Sequence, residues 1–285
     1  MDKVATPQFK IETHVRRLAP HMGLEVEGLK LADLDEDGLI FVKELLLESK
    51  LLVFREQHIS SEDLMAFSNQ LGDVQKYPFS SGIDGFPNIV EIRKEPHQLE
   101  NFSGMWHVDS TYLDNPPDFT ILTARATPEV GGDTVFSDSQ TAFSQLSSGM
   151  KDFLLTNDAV YISNKHQSAK QKTPHLTNFS EIATANASFE AIHPAAKINE
   201  DTGHASIYVN KEHTQKFVNM TVEESTPILE YLCEYVARPE FTARIKWENG
   251  TVVMWDNRSV QHHAVNDYYG SLRVMHRVIV NRRTS

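Results

Sequence analysis

Short segments of strand-forming residues recur at close spacing along the chain, and this spacing constrains the fold more than any other feature. Examples are residues 22–28, 51–54, 88–92, 119–124 and 272–280. Segments of this length with alternating or wholly apolar patterns are typical of β-strands. Helical patterns flank these strands without alternating with them regularly. The sequence therefore predicts a mainly β protein with flanking helices, built as a sandwich or jelly roll.

Three stretches carry the signals of flanking helices. Residues 35–49 place apolar side chains at helical spacing, and Ser60 opens a second helical pattern as its cap. Thr221 and Glu224 form a clear capping box, in which each residue satisfies a backbone N–H of the other. The helix that starts there is predicted to end before Pro239, because proline cannot continue it.

Two glycine-containing pairs predict tight turns. Asn249-Gly250 lies between the apolar segments of residues 241–256 and is a preferred pair for a two-residue β-hairpin. Gly131-Gly132 leads into a further strand pattern and also favours a hairpin turn. A phosphate-binding loop fits it poorly, since no Gly-Lys-Ser/Thr follows.

Residues 163–190 differ from the rest of the chain. They begin with a long polar stretch that has few large apolar side chains and no periodicity. Long polar segments of this kind inside a domain are often functional loops, so a lid over the site is expected here. No internal repeat or linker composition is present, and residues 1–285 are predicted to form a single domain.

Charge and cysteine content exclude several classes of function. The net charge is -12, which disfavours nucleic acid or an anionic membrane as the main partner. A single cysteine allows neither an intrachain disulfide nor a thiolate metal cluster. No signal peptide and no apolar run of about 20 residues is present, so a cytoplasmic location is expected.

A His-x-Asp pair, His107 and Asp109, is the strongest chemical signal in the sequence. On a β-strand, residues i and i+2 point to the same face, so the two side chains can reach one point. A pair of this kind is frequent by chance, but with a second histidine it makes the 2-His-1-carboxylate triad that binds Fe(II). His262 is the best candidate for that histidine. Its neighbour His263 is the rival, and only one of them can point to the site from a strand.

Two arginines in the last strand pattern, Arg273 and Arg277, share one face and stand about 13 Å apart at about 3.3 Å per residue. An inward-pointing arginine requires an anionic partner. These arginines either pair with structural carboxylates or hold two separate anions beside the metal.

Taken together, these stretches resemble the taurine dioxygenase group of Fe(II)- and 2-oxoglutarate-dependent dioxygenases, which includes 2,4-dichlorophenoxyacetate dioxygenases and alkylsulfatases. The resemblance covers nearly the whole chain in the same order. The matching stretches are Val53-Phe54-Arg55-Glu56-Gln57, Trp106-His107-Val108-Asp109, Gly131-Gly132-Asp133-Thr134, Trp255-Asp256-Asn257-Arg258 with Gln261-His262, and Arg273-Val274-Met275-His276-Arg277.

The resemblance implies a double-stranded β-helix core and a set of site residues. Fe(II) would be bound by His107, Asp109 and His262. The cosubstrate 2-oxoglutarate would chelate the iron, with its distal carboxylate on Arg273 and Thr134. Reaction with O₂ would release succinate and CO₂ while a substrate C–H bond is hydroxylated. The presence of the Asp109 carboxylate implies hydroxylation, since related halogenases lack it.

The resemblance also implies a substrate-binding group. Arg277 would hold the anion of a sulfonate, sulfate ester or carboxylate. Where taurine enzymes use a sulfonate-binding histidine this chain has Tyr77, and where they use an asparagine it has Ser103. A small anionic organic molecule is therefore expected, with taurine left open. Relatives often form homo-oligomers, and no residue pattern here marks such an interface.

Three alternatives remain open at this level. The first is a related Fe(II)/2-oxoglutarate oxygenase of specialised metabolism, which hydroxylates or desaturates an amino-acid-like substrate. The second is a hydrolytic zinc enzyme that uses the same three ligands. The third is a non-catalytic jelly-roll binding module, which would have no need of an intact ligand set.

Overall fold

Two β-sheets that face each other form the centre of the protein. The structure is a computed structural model and describes residues 13–163 and 188–283. The described strands, numbered in chain order, are β1 (His14–Arg17), β2 (Leu24–Glu27), β3 (Leu51–Phe54), β4 (Asp73–Gln75), β5 (Val90–Lys94), β6 (Phe119–Ala126), β7 (Thr134–Asp138), β8 (Asp158–Ile162), β9 (Glu190–Pro194), β10 (Ala196–Ile198), β11 (Ala205–Ile207), β12 (Thr214–Phe217), β13 (Thr242–Ile245), β14 (Val252–Asp256), β15 (Val260–Ala264) and β16 (Arg273–Asn281).

Five α-helices accompany these strands in the described residues. They are α1 (Glu36–Ser49), α2 (Ser61–Leu71), α3 (Ser139–Ser144), α4 (Ser148–Thr156) and α5 (Val222–Val236), with short 3₁₀ turns at Leu31–Asp33 and Pro239–Phe241. The predicted caps are confirmed. The Ser60 side chain accepts a hydrogen bond at the start of α2, and the Thr221 and Glu224 capping box opens α5.

The larger sheet has the order β1–β2–β3–β14–β6–β16–β4, with β5 also paired to β16. A smaller sheet has the order β13–β7–β15. Two more small sheets, β12–β8–β9 and β10–β11, lie outside this pair. This architecture confirms the predicted jelly-roll core with flanking helices.

Strand β3 shows how the core is divided. Its four residues are fully buried, and they alternate between two apolar clusters. Leu52 and Phe54 pack on one face with residues of α1 and α2, while Leu51 and Val53 pack on the other face with residues of the smaller sheet. Burying one such side chain contributes about 1.5–3 kcal/mol. The wholly apolar run at residues 51–54 is therefore explained by burial on both faces.

Both hairpin predictions are wrong. The segments on either side of Asn249-Gly250 become β13 and β14, but β13 pairs with β7 in the smaller sheet and β14 pairs with β3 and β6 in the larger one. Gly131-Gly132 likewise joins β6 of the larger sheet to β7 of the smaller sheet. Each of these two turns therefore carries the chain from one sheet to the other. Gly250 and Gly132 have φ values of 83° and 71°, which glycine adopts without strain.

The predicted lid at residues 163–190 lies almost entirely outside the described residues. Among the described helices, none is long and apolar enough to cross a membrane.

Candidate metal and cosubstrate site

A single antiparallel bridge brings the two predicted histidine ligands together. The backbone N–H of His107 donates to the carbonyl of His262 at 3.0 Å, and the N–H of His262 donates to the carbonyl of His107 at 2.9 Å. Directly opposed residues in such a bridge point to the same side. The two imidazole rings therefore lie close together, with centroids 4.0 Å apart.

The Asp109 carboxylate completes the cluster. One ligand atom from each of His107, Asp109 and His262 lies within 4.8 Å of the others, and all three residues are buried. The sequence pattern predicts a regular strand for His107 and Asp109, and this prediction is wrong. His107 forms only the isolated bridge, and Asp109 begins a turn in which Ser110 has a φ of 53°.

A chain of buried hydrogen bonds fixes the orientation of the carboxylate. The Thr120 hydroxyl donates to Asp109 Oδ2 at 2.7 Å, and Asn257 Nδ2 donates to Thr120 Oγ1 at 2.8 Å. Trp255 Nε1 donates to Asn257 Oδ1 at 2.9 Å, and the Trp255 ring packs against His262 with centroids 4.7 Å apart. This chain holds Oδ2 and leaves Oδ1 directed at the histidines, since Oδ1 lies 3.6 Å from His107 Nε2.

The charges around the cluster favour the metal-binding protonation state at His262 and Asp109, whereas at His107 they favour the protonated ring until a metal displaces the proton. Burial, followed by the proximity of His107, keeps the pKa of His262 well below its usual value. Burial alone would raise the pKa of Asp109, but Arg277 and His107 lower it far below its usual range. Burial lowers the pKa of His107, yet Glu212 and Asp109 raise it overall. A neutral imidazole and an ionised carboxylate are the forms that bind metals.

The donor set and its unsatisfied atoms fit a divalent transition metal. His107 Nε2 is buried and forms no hydrogen bond with the described residues. His107 Nδ1 lies 2.8 Å from the carbonyl of Met105, a contact that fixes the ring. With the hydrogen on Nδ1, the lone pair of Nε2 is available to a metal. Two imidazoles and one carboxylate are the facial triad of non-haem Fe(II) oxygenases, which leaves other coordination positions open.

The neighbouring His263 does not belong to this cluster. It follows His262 on β15 and points to the opposite side, where its ring packs at 5.6 Å from that of Trp106. The alternation of a strand thus separates the two candidates that the sequence left adjacent.

Arg273 lies at the start of β16, where it is 7% exposed. It forms no salt bridge with a described carboxylate, and its Nε has no hydrogen-bond partner among the described residues. Burial lowers the pKa of Arg273. A guanidinium nevertheless stays charged in proteins. An arginine left in this condition is available to an anion that enters from outside.

Thr134 lies near Arg273, at the start of β7, and its hydroxyl accepts a hydrogen bond from Trp247 Nε1 at 2.9 Å. The Trp247 ring lies 5.8 Å from the Arg273 guanidinium. Because Thr134 Oγ1 accepts from Trp247, its own hydrogen can be donated to a bound carboxylate. A Cβ atom on Gly132 would lie 3.3 Å from Arg273 Cδ and 3.3 Å from Tyr268, so the glycine lets the turn approach the arginine closely.

Arg277 projects from the same face of β16 four residues after Arg273, next to the metal cluster. Its Nη1 donates to Asp109 Oδ1 at 3.2 Å, while Nε and Nη2 are buried without a hydrogen-bond partner in the described residues. The guanidinium lies 4.5 Å from the centre of the Tyr77 ring. Tyr112 donates a hydrogen bond to the Tyr77 hydroxyl at 3.3 Å. The predicted neighbourhood of Tyr77 and Arg277 is therefore present.

Ser103, the other predicted substrate-binding residue, lies in a turn beside the strand that carries His262. Its carbonyl accepts a hydrogen bond from the backbone of Ala264, and no described contact joins its side chain to Arg277. The preceding residue, Phe102, approaches Arg277 instead, with its ring centre 5.6 Å from the guanidinium. The substrate-binding role of Ser103 stays a prediction, and Phe102 is an additional neighbour of Arg277.

Several residues near the site could not be predicted from the sequence, because no local motif marks them. A group of aromatic rings in contact with one another lies beside Arg277 and Tyr77. The residues are Phe79, Phe102, Tyr112, Phe189 and His213. They come from distant segments, so only the folded chain shows that they meet.

Comparison with known proteins gives one consistent result. A family model described as taurine catabolism dioxygenase TauD, TfdA family matches residues 14–279. An alkylsulfatase of Acinetobacter baylyi is 32% identical, over 94% of this chain and 84% of its own length. An alpha-ketoglutarate-dependent sulfate ester dioxygenase of Pseudomonas putida is 28% identical, over 96% of this chain and 91% of its own length. Alpha-ketoglutarate is another name for 2-oxoglutarate.

The fold is also similar to a solved structure. The crystal structure of a taurine dioxygenase from Burkholderia xenovorans has a TM-score of 0.78 and 31% sequence identity, and the match covers 95% of this chain and 91% of that chain. The sequence match, the shared fold and the buried His-Asp-His cluster agree. The chain belongs to the taurine catabolism dioxygenase TauD, TfdA family.

Proposed function

We propose that the protein is an Fe(II)- and 2-oxoglutarate-dependent dioxygenase that hydroxylates a C–H bond of a small anionic organic molecule. The observation that carries this proposal is a buried His-Asp-His cluster together with two buried arginines of β16 that have unpaired guanidinium nitrogens, one of which, Arg277, contacts Asp109. Family membership supports the reaction class, and the match over residues 14–279 supports a single catalytic domain.

In this proposal His107, Asp109 and His262 bind the iron. When bound, iron with 2-oxoglutarate and O₂ supplies the oxidising chemistry, and the cosubstrate leaves as succinate and CO₂. Thr120 holds Oδ2 of Asp109, so Oδ1 would be the oxygen available to the metal. A site of two imidazoles and one carboxylate would leave coordination positions open for the cosubstrate and O₂.

Arg273 and Thr134 bind the distal carboxylate of 2-oxoglutarate. The guanidinium fork matches the two oxygens of a carboxylate, and the Thr134 hydroxyl donates a further hydrogen bond. The anion also offsets the cost of burying Arg273 without a carboxylate partner. Binding energy at this distal end orients the reactive end of the cosubstrate at the metal.

Arg277 and Tyr77 bind the anionic group of the substrate. Arg277 keeps one contact with Asp109 and offers Nε and Nη2 to the anion. The substrate classes that we propose are sulfonates, sulfate esters and carboxylates. The names of the relatives from Acinetobacter baylyi and Pseudomonas putida support a sulfate ester. The aromatic side chains around this space exclude water from the reacting C–H bond.

The test is succinate formation from 2-oxoglutarate under air with Fe(II), with a panel of sulfonates, sulfate esters, carboxylates and amino acids. One class should raise succinate well above a control without substrate, and that class identifies the anion on Arg277. The variant His107→Ala should abolish the signal.

A zinc hydrolase that uses the same ligands is the rival outcome. It would form no succinate and would tolerate Arg273→Ala, because hydrolysis needs no cosubstrate carboxylate. A hydrolytic activity that survives Arg273→Ala would therefore replace the proposed function.

A further inference from the structure

Lys94, the last residue of β5, is a buried cation to which the proposed reaction gives no role. The residue is 2% exposed. Val90 and Ile92 lie on the same strand face, since strand side chains alternate. Both pack into apolar clusters on the inner side of the larger sheet, where Met275 and Ile279 of β16 also lie. Lys94 therefore points to the interior, on the same side as the site.

The ammonium group of Lys94 lacks the partners that a buried charge normally has. Its Nζ forms no hydrogen bond and no salt bridge with the residues that the structure describes. Its contacts are with two aromatic rings, at 4.3 Å from the centre of Tyr268 and 5.9 Å from that of Tyr269. Burial lowers the pKa of Lys94. Burying an unpaired ammonium costs free energy, and a bound anion would offset that cost.

A second buried lysine shows what a structural role looks like in this protein. Lys50 Nζ donates to Asp138 Oδ2 at 2.8 Å and to the carbonyl of His21 at 3.2 Å. Its charge is thus paired within the chain. Lys94 is no more exposed than Lys50 and has no comparable pair among the described residues.

The sheet register places Lys94 beside Arg273. The two residues are direct partners in the β5–β16 pair, and directly opposed residues have Cβ atoms about 5 Å apart on one face. Tyr268 connects them, because its ring faces the Lys94 ammonium and lies beside the Gly132 turn that also contacts Arg273. Two buried cations without a carboxylate partner therefore lie at one end of the site.

We propose that Lys94 is a second cationic residue of the cosubstrate site and binds the same distal carboxylate as Arg273. This inference rests on the proposed function, in which Arg273 holds that carboxylate. A carboxylate offers about four lone-pair sites, which suffice for the Arg273 fork, the Thr134 hydroxyl and an ammonium. Lys94 would then select 2-oxo acids that carry a distal carboxylate.

The test is calorimetric titration of 2-oxoglutarate into protein loaded with Mn(II), which binds the site without turnover. Lys94→Met should raise the dissociation constant about tenfold or more, as expected for loss of a charge-assisted hydrogen bond. Lys94→Arg should retain most of the affinity, because it keeps the positive charge. Lys43→Met removes a half-buried lysine on α1, whose Nζ donates to the carbonyl of Gln70, and should leave the affinity unchanged.

A second ligand separates charge recognition from shape. 2-Oxopentanoate has the carbon chain length of 2-oxoglutarate but no distal carboxylate. The preference of wild-type protein for 2-oxoglutarate over 2-oxopentanoate should fall in Lys94→Met by the same factor as the affinity for 2-oxoglutarate. Melting of the ligand-free proteins and a second variant, Lys94→Gln, control for folding.

The outcomes separate this inference from the proposed function. If wild-type protein does not bind 2-oxoglutarate, the proposed function fails. If wild-type protein binds it and folded Lys94→Met or Lys94→Gln binds equally well, the Lys94 inference is overturned while the function stands. If both variants fail to fold, Lys94 has a structural role and the inference is also overturned.

Discussion

Arg258 and Arg273 are both buried arginines, but their surroundings are opposite. Arg258 is 2% exposed and donates to Asp256 at 2.9 and 2.8 Å and to Asp201 at 2.7 Å. Burial would lower the pKa of Arg258, but Asp256 and Asp201 raise it. Arg273 forms no salt bridge with a described carboxylate, and burial lowers its pKa.

The difference separates a structural cation from a ligand-binding cation. Arg258 joins the turn after β14 to the acidic residues near β10, so its charge is neutralised within the fold. Arg273 has a charge that the described residues leave unpaired, and an anion from outside can neutralise it. The same contrast holds between Lys50 and Lys94.

The largest expected effect is on the paired arginine. Arg258→Met leaves the Asp256 and Asp201 carboxylates without their cation, so the free energy of unfolding should fall by about 3–5 kcal/mol. Urea denaturation measures this change. The exposed pair of Arg17 with Glu48 is the control, and Arg17→Met should change stability by less than about 1 kcal/mol. Equal changes in the free energy of unfolding for the two variants would contradict a structural role for the buried Arg258 pair.

Replacing the unpaired arginine, Arg273, should impair the use of 2-oxoglutarate and should not lower stability. Arg273→Met should lower kcat/KM for 2-oxoglutarate about 100-fold, because the distal carboxylate loses its bidentate partner. Succinate formation at varied 2-oxoglutarate concentration measures this ratio. An unchanged KM for 2-oxoglutarate would show that the carboxylate binds elsewhere.

A smaller effect, on metal affinity, is expected from removing the Thr120 hydroxyl that holds Asp109. Thr120→Val keeps the shape of the side chain and removes the hydroxyl that donates to Asp109 Oδ2. The Mn(II) dissociation constant should rise about tenfold, as is typical for loss of an outer hydrogen bond to a metal ligand. Thr123→Val on the same strand is the matched control, because Thr123 Oγ1 has no hydrogen-bond partner among the described residues. Equal Mn(II) affinity in both variants would show that the hydrogen bond from Thr120 to Asp109 does not support metal binding.

The smallest effect concerns acid stability. Burial would raise the pKa of Asp201, but Arg258 lowers it below the usual value. Because the folded-state pKa lies below the unfolded value of about 4, the pair stabilises the fold above about pH 4 and that contribution is lost as pH falls through the lower folded value. The Tm of Arg258→Met should therefore depend less steeply on pH in this range than that of wild-type protein. Parallel Tm profiles would contradict this assignment.

The sequence predicted which side chains meet in the His-Asp-His cluster better than it predicted the strand pairing. Alternation along β16 correctly places Arg273 and Arg277 on one face, and His262 and His263 separate as a strand requires. Local patterns do not say which distant strand becomes a neighbour, so the hairpin at Asn249-Gly250 was predicted where the chain crosses between sheets.

The residues that support the site were not predictable for the same reason. Trp247, Tyr268 and Lys94 reach the neighbourhood of Arg273 from three different segments. Thr120 lies in an apolar strand pattern where a threonine carries no signal of its own. Their roles depend on long-range packing, which periodicity does not encode.

The most direct test of the contrast between paired and unpaired cations is the Tm of Arg273→Met with and without 2-oxoglutarate, in protein loaded with Mn(II). A ligand that binds only the folded state raises the Tm. We predict that 2-oxoglutarate raises the Tm of wild-type protein but not that of Arg273→Met, and that the ligand-free variant is at least as stable as wild-type protein. A ligand-free variant that melts lower, or one that keeps the full rise with 2-oxoglutarate, would contradict the account.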